Sequence, residues 1–303
     1  MTFLSPSPIR VCGMERGLRP EMAGAVFRFR GRAWSVLIAG AVGALGFVVL
    51  VPLSAHFFPG WLDSGLRLDP ARRLLSPFGG DAPRLWLGTD ALGRNFAARL
   101  CVAAPNSLLL AFGAALLAVI PGAVFGALAA TSRFLDVILM RFADALLTLP
   151  PLVLALALLT LSGPGVAGLV IALAVPEFPR VMRYARVLCQ GFACEPWYEA
   201  ARGLGLSSWR LLVSQMFPAL LVPLAVVFGQ VFAIALLVES LLGFLGLGLP
   251  VDSPGWGSLL AEGRGYLRVA PHLVVLPGLC IAVTIFSVQV LADSVRWRSR
   301  EAY

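Results

Sequence analysis

Residues 199–218 read EAARGLGLSSWRLLVSQMFP, a polar, arginine-bearing island between long apolar runs. Glu199-Ala200-Ala201 favours a short helix, because a carboxylate suits the positive N-terminal end of a helix and alanine has the highest helix propensity. Gly203 and Gly205 then weaken it, and Ser207 or Ser208 can cap a second helix that Pro218 is expected to interrupt. A helix–turn–helix this short cannot bury itself. Beside a membrane span it reads as a docking surface, with an ordinary interfacial helix pair as the plainer alternative.

The flanking runs set the fold class. The chain has 303 residues, 59% hydrophobic and 13% charged, with a mean hydropathy of +0.87. A soluble domain carries about 25% charged residues, so this is an integral membrane protein. A span needs about 20 mainly apolar residues. Six stretches qualify: Trp34–Ser54, Leu108–Ala130, Ala143–Leu161, Val166–Val181, Ala219–Leu242 and Val274–Leu291. The third contains Pro150-Pro151, and the fourth has a short apolar core before Pro176, Glu177 and Pro179. Neighbouring helices can re-satisfy backbone groups freed by such prolines. The expectation is an all-α, polytopic protein with six transmembrane helices.

Charge sets orientation. The formal charge is +8, and all 24 basic residues are arginine, which codon usage explains more simply than function. A P-loop needs lysine on the phosphates, so the chain is no conventional P-loop ATPase. With the N-terminus inside, the inner segments hold six, two, five and three arginines, against six and two in the outer loops. The excess places both termini, and the 199–218 loop, in the cytoplasm. Residues 1–33 form a basic tail touching anionic lipid, with Met14 and Met22 as alternative starts, and the first apolar run reads as an uncleaved signal-anchor. The organisation expected is a tail at 1–33, a first span at 34–54, an extracytoplasmic loop with an interfacial helix at 55–102, a core at 103–294 and a tail at 295–303.

Cys12, Cys101, Cys189, Cys194 and Cys280 read as free thiols. Cys189 and Cys194 are loosely spaced, and His56 and His272 fall on the opposite side of the membrane, so no metal site is expected. Leu161-Ser162-Gly163-Pro164-Gly165 is a tight outer turn and not an ATPase signature. The glycines of 239–248 follow no strand, which excludes a dinucleotide fingerprint.

Several motifs carry a family resemblance. Glu199-Ala200-Ala201, Gly205 and Pro218 fall in register with the EAA loop of ABC importer permeases, the coupling helix that seats in a groove of the ATP-binding subunit. Peptide-type permeases usually place His three residues before the proline. Here it is Gln215, which keeps a hydrogen-bonding side chain but not a titratable one. Leu85–Leu100 (LWLGTDALGRNFAARL) resembles the LGTDxxGRD signature of the DppC/OppC class, which includes peptide and nickel permeases. Gly88, Thr89, Asp90, Gly93 and Arg94 match, and Asn95 replaces the usual Asp. Thr89 or Asp90 is the expected N-cap of a helix bearing Arg94 and Arg99, and Leu66–Leu75 is expected to lie against the bilayer.

Asp136, Arg141 and Asp144 before Leu149-Pro150 also resemble this class, and Arg141 and Asp144 are spaced to pair across one helical turn. Arg180, Arg183 and Arg186 form a basic stripe suited to lipid headgroups. Residues 239–248 resemble the family's EASLSFLGLG string, followed by Pro254, Trp256, Gly257 and Glu262 in the pattern PxWGxxLxEG. Glu239 is either a functional intramembrane carboxylate or a group facing water near the outer end.

The resemblance implies the type I ABC importer permease fold in a bacterial inner membrane. It implies a non-catalytic transport subunit for di- or oligopeptides. The implied partners are a homologous second permease, two ATP-binding subunits that hold ATP and Mg, an extracytoplasmic peptide-binding protein, and lipid; no cofactor is implied in this chain, and no nucleic acid. A nickel or metal-chelate importer is the alternative within the class. A stand-alone secondary transporter is the alternative outside it, although such carriers usually place several ionisable residues at mid-membrane.

Overall fold

A computed structural model describes residues 38–46, 48–50, 52, 66–78, 85–163, 165–249 and 253–301. The basic tail expected at 1–33 lies outside them, as does part of the first expected span. Among the described residues, regular structure is entirely helical, apart from one isolated antiparallel bridge between Thr89 and Asn95.

The central element is α1, Phe96–Thr131, a helix of 36 residues with Pro105 and Pro121 inside it. It is apolar on every side, as a buried or membrane-embedded helix must be. Its buried positions are mostly small: Ala103, Ser107, Ala111, Ala114, Ala118, Gly122 and Gly126. Small residues let helix backbones approach closely where lipid removes any hydrophobic drive for association.

Two expected spans are broken. Residues 143–161 do not form one helix: α2, Arg133–Leu147, and α3, Pro151–Ser162, meet at a bend of 91°. The cause is Pro150-Pro151, since the residue before a proline is driven out of the helical region. The fourth stretch divides into α4, Val166–Ala174, and α5, Phe178–Phe192, around a turn at 175–177 bearing Pro176. The tight turn at 163–165 forms between α3 and α4, with Gly163 at φ 76°.

After α5 come α6, Pro196–Gly203, and a short α7, Ser208–Leu211. A wide π turn at Leu212–Met216 then leads into α8, Phe217–Phe244. Pro218 does not interrupt the helix as expected. Trp209–Phe244 runs as one span of 36 residues, because the proline follows a turn already widened, where its missing N–H and ring are tolerated. α9 is Trp256–Gly263, a single 3-10 turn covers Arg264–Tyr266, and α10, His272–Glu301, runs unbroken into the arginine-rich end.

Among the described residues, three unbroken helices are long and apolar enough to cross a membrane (Phe96–Thr131, Trp209–Phe244 and His272–Arg296), or four if the bent α2–α3 pair is one span. The described residues of the other expected spans are helical in pieces. At 1.5 Å per residue, the 36 residues of Trp209–Phe244 extend about 54 Å. This exceeds the hydrocarbon thickness of about 30 Å, so the helix projects well beyond it.

Candidate functional site

The two ends of the long helix carry the sequence motifs. At its start, α6 has no buried residue, and Glu199, Ala200 and Gly205 are exposed. α6 closes with a Schellman motif: the Leu206 N–H donates to Ala201 O at 3.3 Å and the Gly205 N–H to Arg202 O at 2.9 Å. Gly205 takes φ +85° with open space around it, so the left-handed conformation, not crowding, demands glycine. Ser207 then accepts the Arg210 N–H at 3.4 Å. Leu204 is 85% exposed and Trp209 63%, so two large apolar side chains flank the glycine turn outside the bundle. Gln215 and Pro218 are also exposed, but sit at and beyond the π turn, on the base of the long helix.

α5, which leads into this loop, is tied to α2 by charge. Arg186 Nη2 donates to Asp136 Oδ2 at 2.6 Å, and Arg183 pairs with Asp144. The expected Arg141–Asp144 pair is therefore not made; the partner across the helix interface wins over the neighbour on the same turn. Arg180 donates to Glu177 Oε1 at 2.8 Å. All three arginines of the basic stripe thus make ion pairs. The two pairs that reach α2, one exposed and one part-buried, set how α2 sits on α5 more than they add stability. Arg141 lines an open cleft of about 520 Å³ beside both pairs.

The opposite end joins motifs from distant parts of the chain. Asp90 Oδ1 accepts the backbone N–H groups of Leu92 and Arg94, each at 2.9 Å, while Oδ2 accepts Arg94 Nε at 2.7 Å and Arg99 Nη1 at 3.1 Å. Asp90 therefore organises a turn and is not the helix cap; nor is Thr89, whose hydroxyl accepts the Leu75 N–H at 2.9 Å and donates to Arg72 O. Arg94 precedes the helix instead of lying on it. The cap is Asn95, whose Oδ1 accepts the Ala97 N–H at 3.0 Å. Replacing Asn95 by Ala is expected to cost about 1 kcal/mol of stability while Asp is neutral, as thermal unfolding of the solubilised protein would measure.

Residues 69–75 pack on this turn, with Asp69, Leu74 and Thr89 bonded across at 3.3, 3.1 and 3.2 Å. The expected bilayer-lying helix is a 3-10 turn, Pro70–Arg72, stitched to the signature. A β-carbon on Gly93 would lie 1.8 Å from Asp69 O, and on Gly88 2.4 Å from Leu75 O, so this stitching requires both glycines.

Arg99 crosses from this turn to α9. It is 3% exposed, and its Nη2 donates to Glu262 Oε1 at 2.9 Å while Nη1 reaches Oε2 at 2.5 Å. The motifs at 88–94 and 254–263 are thereby joined. Asn106 Nδ2 adds a bond to Pro254 O at 2.9 Å. Glu239 lies at the same end, 1% exposed, with Ser107 Oγ and Ser240 Oγ each 3.3 Å from its carboxyl oxygens. Within this chain it does not face water. Glu177, at the break between α4 and α5, is also buried, at 2% exposure. Sequence reasoning passed over it, although its setting between Pro176 and Pro179 was the signal. Cys101, Cys189, Cys194 and Cys280 are free, and among the described residues no three His, Cys, Asp or Glu side chains are grouped to hold a metal.

A bundle of membrane-length apolar helices, with a short exposed helix at one end, defines a multi-pass membrane protein. Residues 122–300 match the family described as binding-protein-dependent transport system inner membrane component, and the chain belongs to that family. It is 37% identical over 271 residues to a probable peptide ABC transporter permease protein of Sinorhizobium fredii, covering 89% of this chain and 90% of the relative. It is 35% identical over 265 residues to the di/tripeptide transport system permease protein DppC of Pseudomonas aeruginosa, covering 85% and 86%. Identity to the glutathione transport system permease protein GsiD of Pectobacterium atrosepticum is 31% over 215 residues, covering 70% of each chain.

Proposed function

We propose that this chain is the permease subunit of an ATP-driven importer of di- or oligopeptides, forming half of the translocation path. The exposed, Schellman-ended helix α6 at the start of the long helix carries the mechanism. The peptide and di/tripeptide permeases among the relatives support the cargo. One ATP-binding subunit docks on residues 199–218 from the cytoplasm and a second on the partner permease, and the two supply ATP and Mg, since a chain without lysine has no P-loop. A homologous second permease completes the path, and an extracytoplasmic peptide-binding protein delivers the cargo. Both termini are cytoplasmic in a bacterial inner membrane. Ala200 and Ala201 allow close packing in the groove, Glu199 holds loop or partner electrostatically, and Gly205 sets the turn that presents Leu204 and Trp209. Gln215 and Pro218 fix the base of the loop.

Co-purification of the ATP-binding subunits with the assembled permeases tests this directly. Gly205→Val forces a side chain into a left-handed conformation at about 1–2 kcal/mol, an effect on the order of tenfold in docking. Ala200→Asp adds a charge at the contact. Both should lose capture and peptide-stimulated ATPase, while Gly205→Asn, which tolerates that conformation, should keep them. Normal transport by Ala200→Asp would sink the docking role. Uptake of labelled dipeptide against nickel by the intact system decides the cargo.

A further inference from the structure

The seat of Glu239 becomes informative when its protons are counted. Ser107 Oγ accepts the Trp256 backbone N–H at 2.9 Å. Its own proton is thus free for Glu239 Oε1, 3.3 Å away. Ser240 differs. Its single proton goes to Leu236 O at 2.8 Å, the back-bond of a helical serine. Nothing on Ser240 remains to donate to Glu239 Oε2, which lies 3.3 Å from the same hydroxyl oxygen. Two acceptor oxygens would face each other there unless the carboxyl itself supplies the hydrogen.

The surroundings favour the same answer. Glu239 is 1% exposed, and a buried charge without paired, hydrogen-bonded compensation is strongly disfavoured. Gly255 closes over the group: a β-carbon there would lie 2.7 Å from Glu239 Oε1 and 2.9 Å from Ser107 Oγ. The groups meeting the carboxyl are therefore a hydroxyl from α1, a hydroxyl from its own helix α8, and the backbone at the start of α9.

We infer that Glu239 is held as a neutral carboxylic acid, accepting from Ser107 and donating its proton from Oε2 to Ser240, and that it is the positioning residue seating the start of α9 on α1. α9 is then fixed at two points. Trp256 is held through Ser107 and Glu239, and Glu262 through Arg99. Because Ser107 follows Arg99 on α1 while Trp256 precedes Glu262, the two helices run antiparallel between these points. The inference rests on the permease reading but not on its cargo.

The test uses the assembled transporter in membranes. Glu239→Gln presents an amide oxygen to Ser107 and an amide N–H to Ser240, reproducing the neutral acid. Transport and ATPase within about twofold of wild type are expected for Glu239→Gln, against a loss of about tenfold or more for Glu239→Ala, where buried hydroxyls lose their partner. The infrared difference spectrum between wild type and Glu239→Gln should show a protonated-carboxyl C=O band. Loss of activity in Glu239→Gln with the protein still inserted, absence of the band, or wild-type activity in Glu239→Ala would each overturn the inference. Capture of the ATP-binding subunits by all variants separates failure at this seat from failure of the docking reading.

Discussion

Replacing Arg99 by Ala is expected to lower the stability of the folded protein more than any other single side-chain truncation at this end of the bundle. Arg99 is 3% exposed and stands between two carboxylates, Asp90 and Glu262. Removing one partner of a buried ion pair costs about 3–5 kcal/mol, because the remaining charge is left uncompensated. The Glu262 side chain is 46% exposed and can hydrate, and Asp90 keeps Arg94 at 2.7 Å. The lower end of that range, about 3 kcal/mol, therefore applies. Against a total of about 5–15 kcal/mol for a folded domain, the loss is large. Lys at this position keeps the charge but not the two-pronged geometry, and should recover only part. Arg99→Met combined with Glu262→Gln should be better tolerated than Arg99→Met alone, since no carboxylate of α9 is then stranded. Size-exclusion and thermal unfolding of the solubilised variants check the order, and equal stability of Arg99→Ala and wild type would refute it.

Gly126→Val is expected to abolish transport by displacing α5. A β-carbon at Gly126 would lie 2.3 Å from Met182 O, 2.8 Å from Ala185 Cβ and 3.0 Å from Arg186 N. Two of these atoms are backbone, and the third is a β-carbon, so no flexible side chain can swing aside. α5 itself must move, at the overpacking cost of about 1–3 kcal/mol or more. The movement would reach Arg183 and Arg186, which set α5 against α2, and then α6, which follows α5 directly. Even Gly126→Ala should impair coupled ATPase. Gly113→Ala on the same helix is the control, because its β-carbon would meet only Val170, at 3.7 Å. Transport by Gly126→Val at the level of Gly113→Ala would show that the α1–α5 contact is not rigid.

The apolar cores of the long helices were legible because composition alone dictates them: a run such as 108–130 has few other stable forms in a membrane, although its helix begins earlier, at Phe96. The exposed loop at 199–218 was legible for the converse reason, as polarity inside an apolar chain marks what must stay outside the bundle. Tertiary choices were not. Asp90 has the chemistry of a helix cap, but two arginines and two backbone N–H groups claim its carboxylate, so the cap passes to Asn95. Arg141 and Asp144 satisfy the local spacing rule, yet Arg183 from α5 takes the partner. Pro218 carries the mark of a helix break, but the π turn before it absorbs the misfit. The union of Arg99 with Glu262 depends on how α9 returns to α1, which spacing along the chain does not encode.

The unbroken course from Trp209 to Phe244 makes α8 and its π turn a lever. Glu239 stands 30 residues beyond Trp209 on the same span, about 45 Å away at 1.5 Å per residue. On an arm of about 45 Å, a tilt of about 5° shifts the far end by roughly 4 Å while barely disturbing the packing near the pivot. Under the proposed docking, a thrust on Leu204 and Trp209 would be delivered, magnified in displacement and reduced in force, to the place where Ser107 and Glu239 hold α9. Gearing of this kind lets a small stroke at one membrane face open a gap of atomic dimensions at the other.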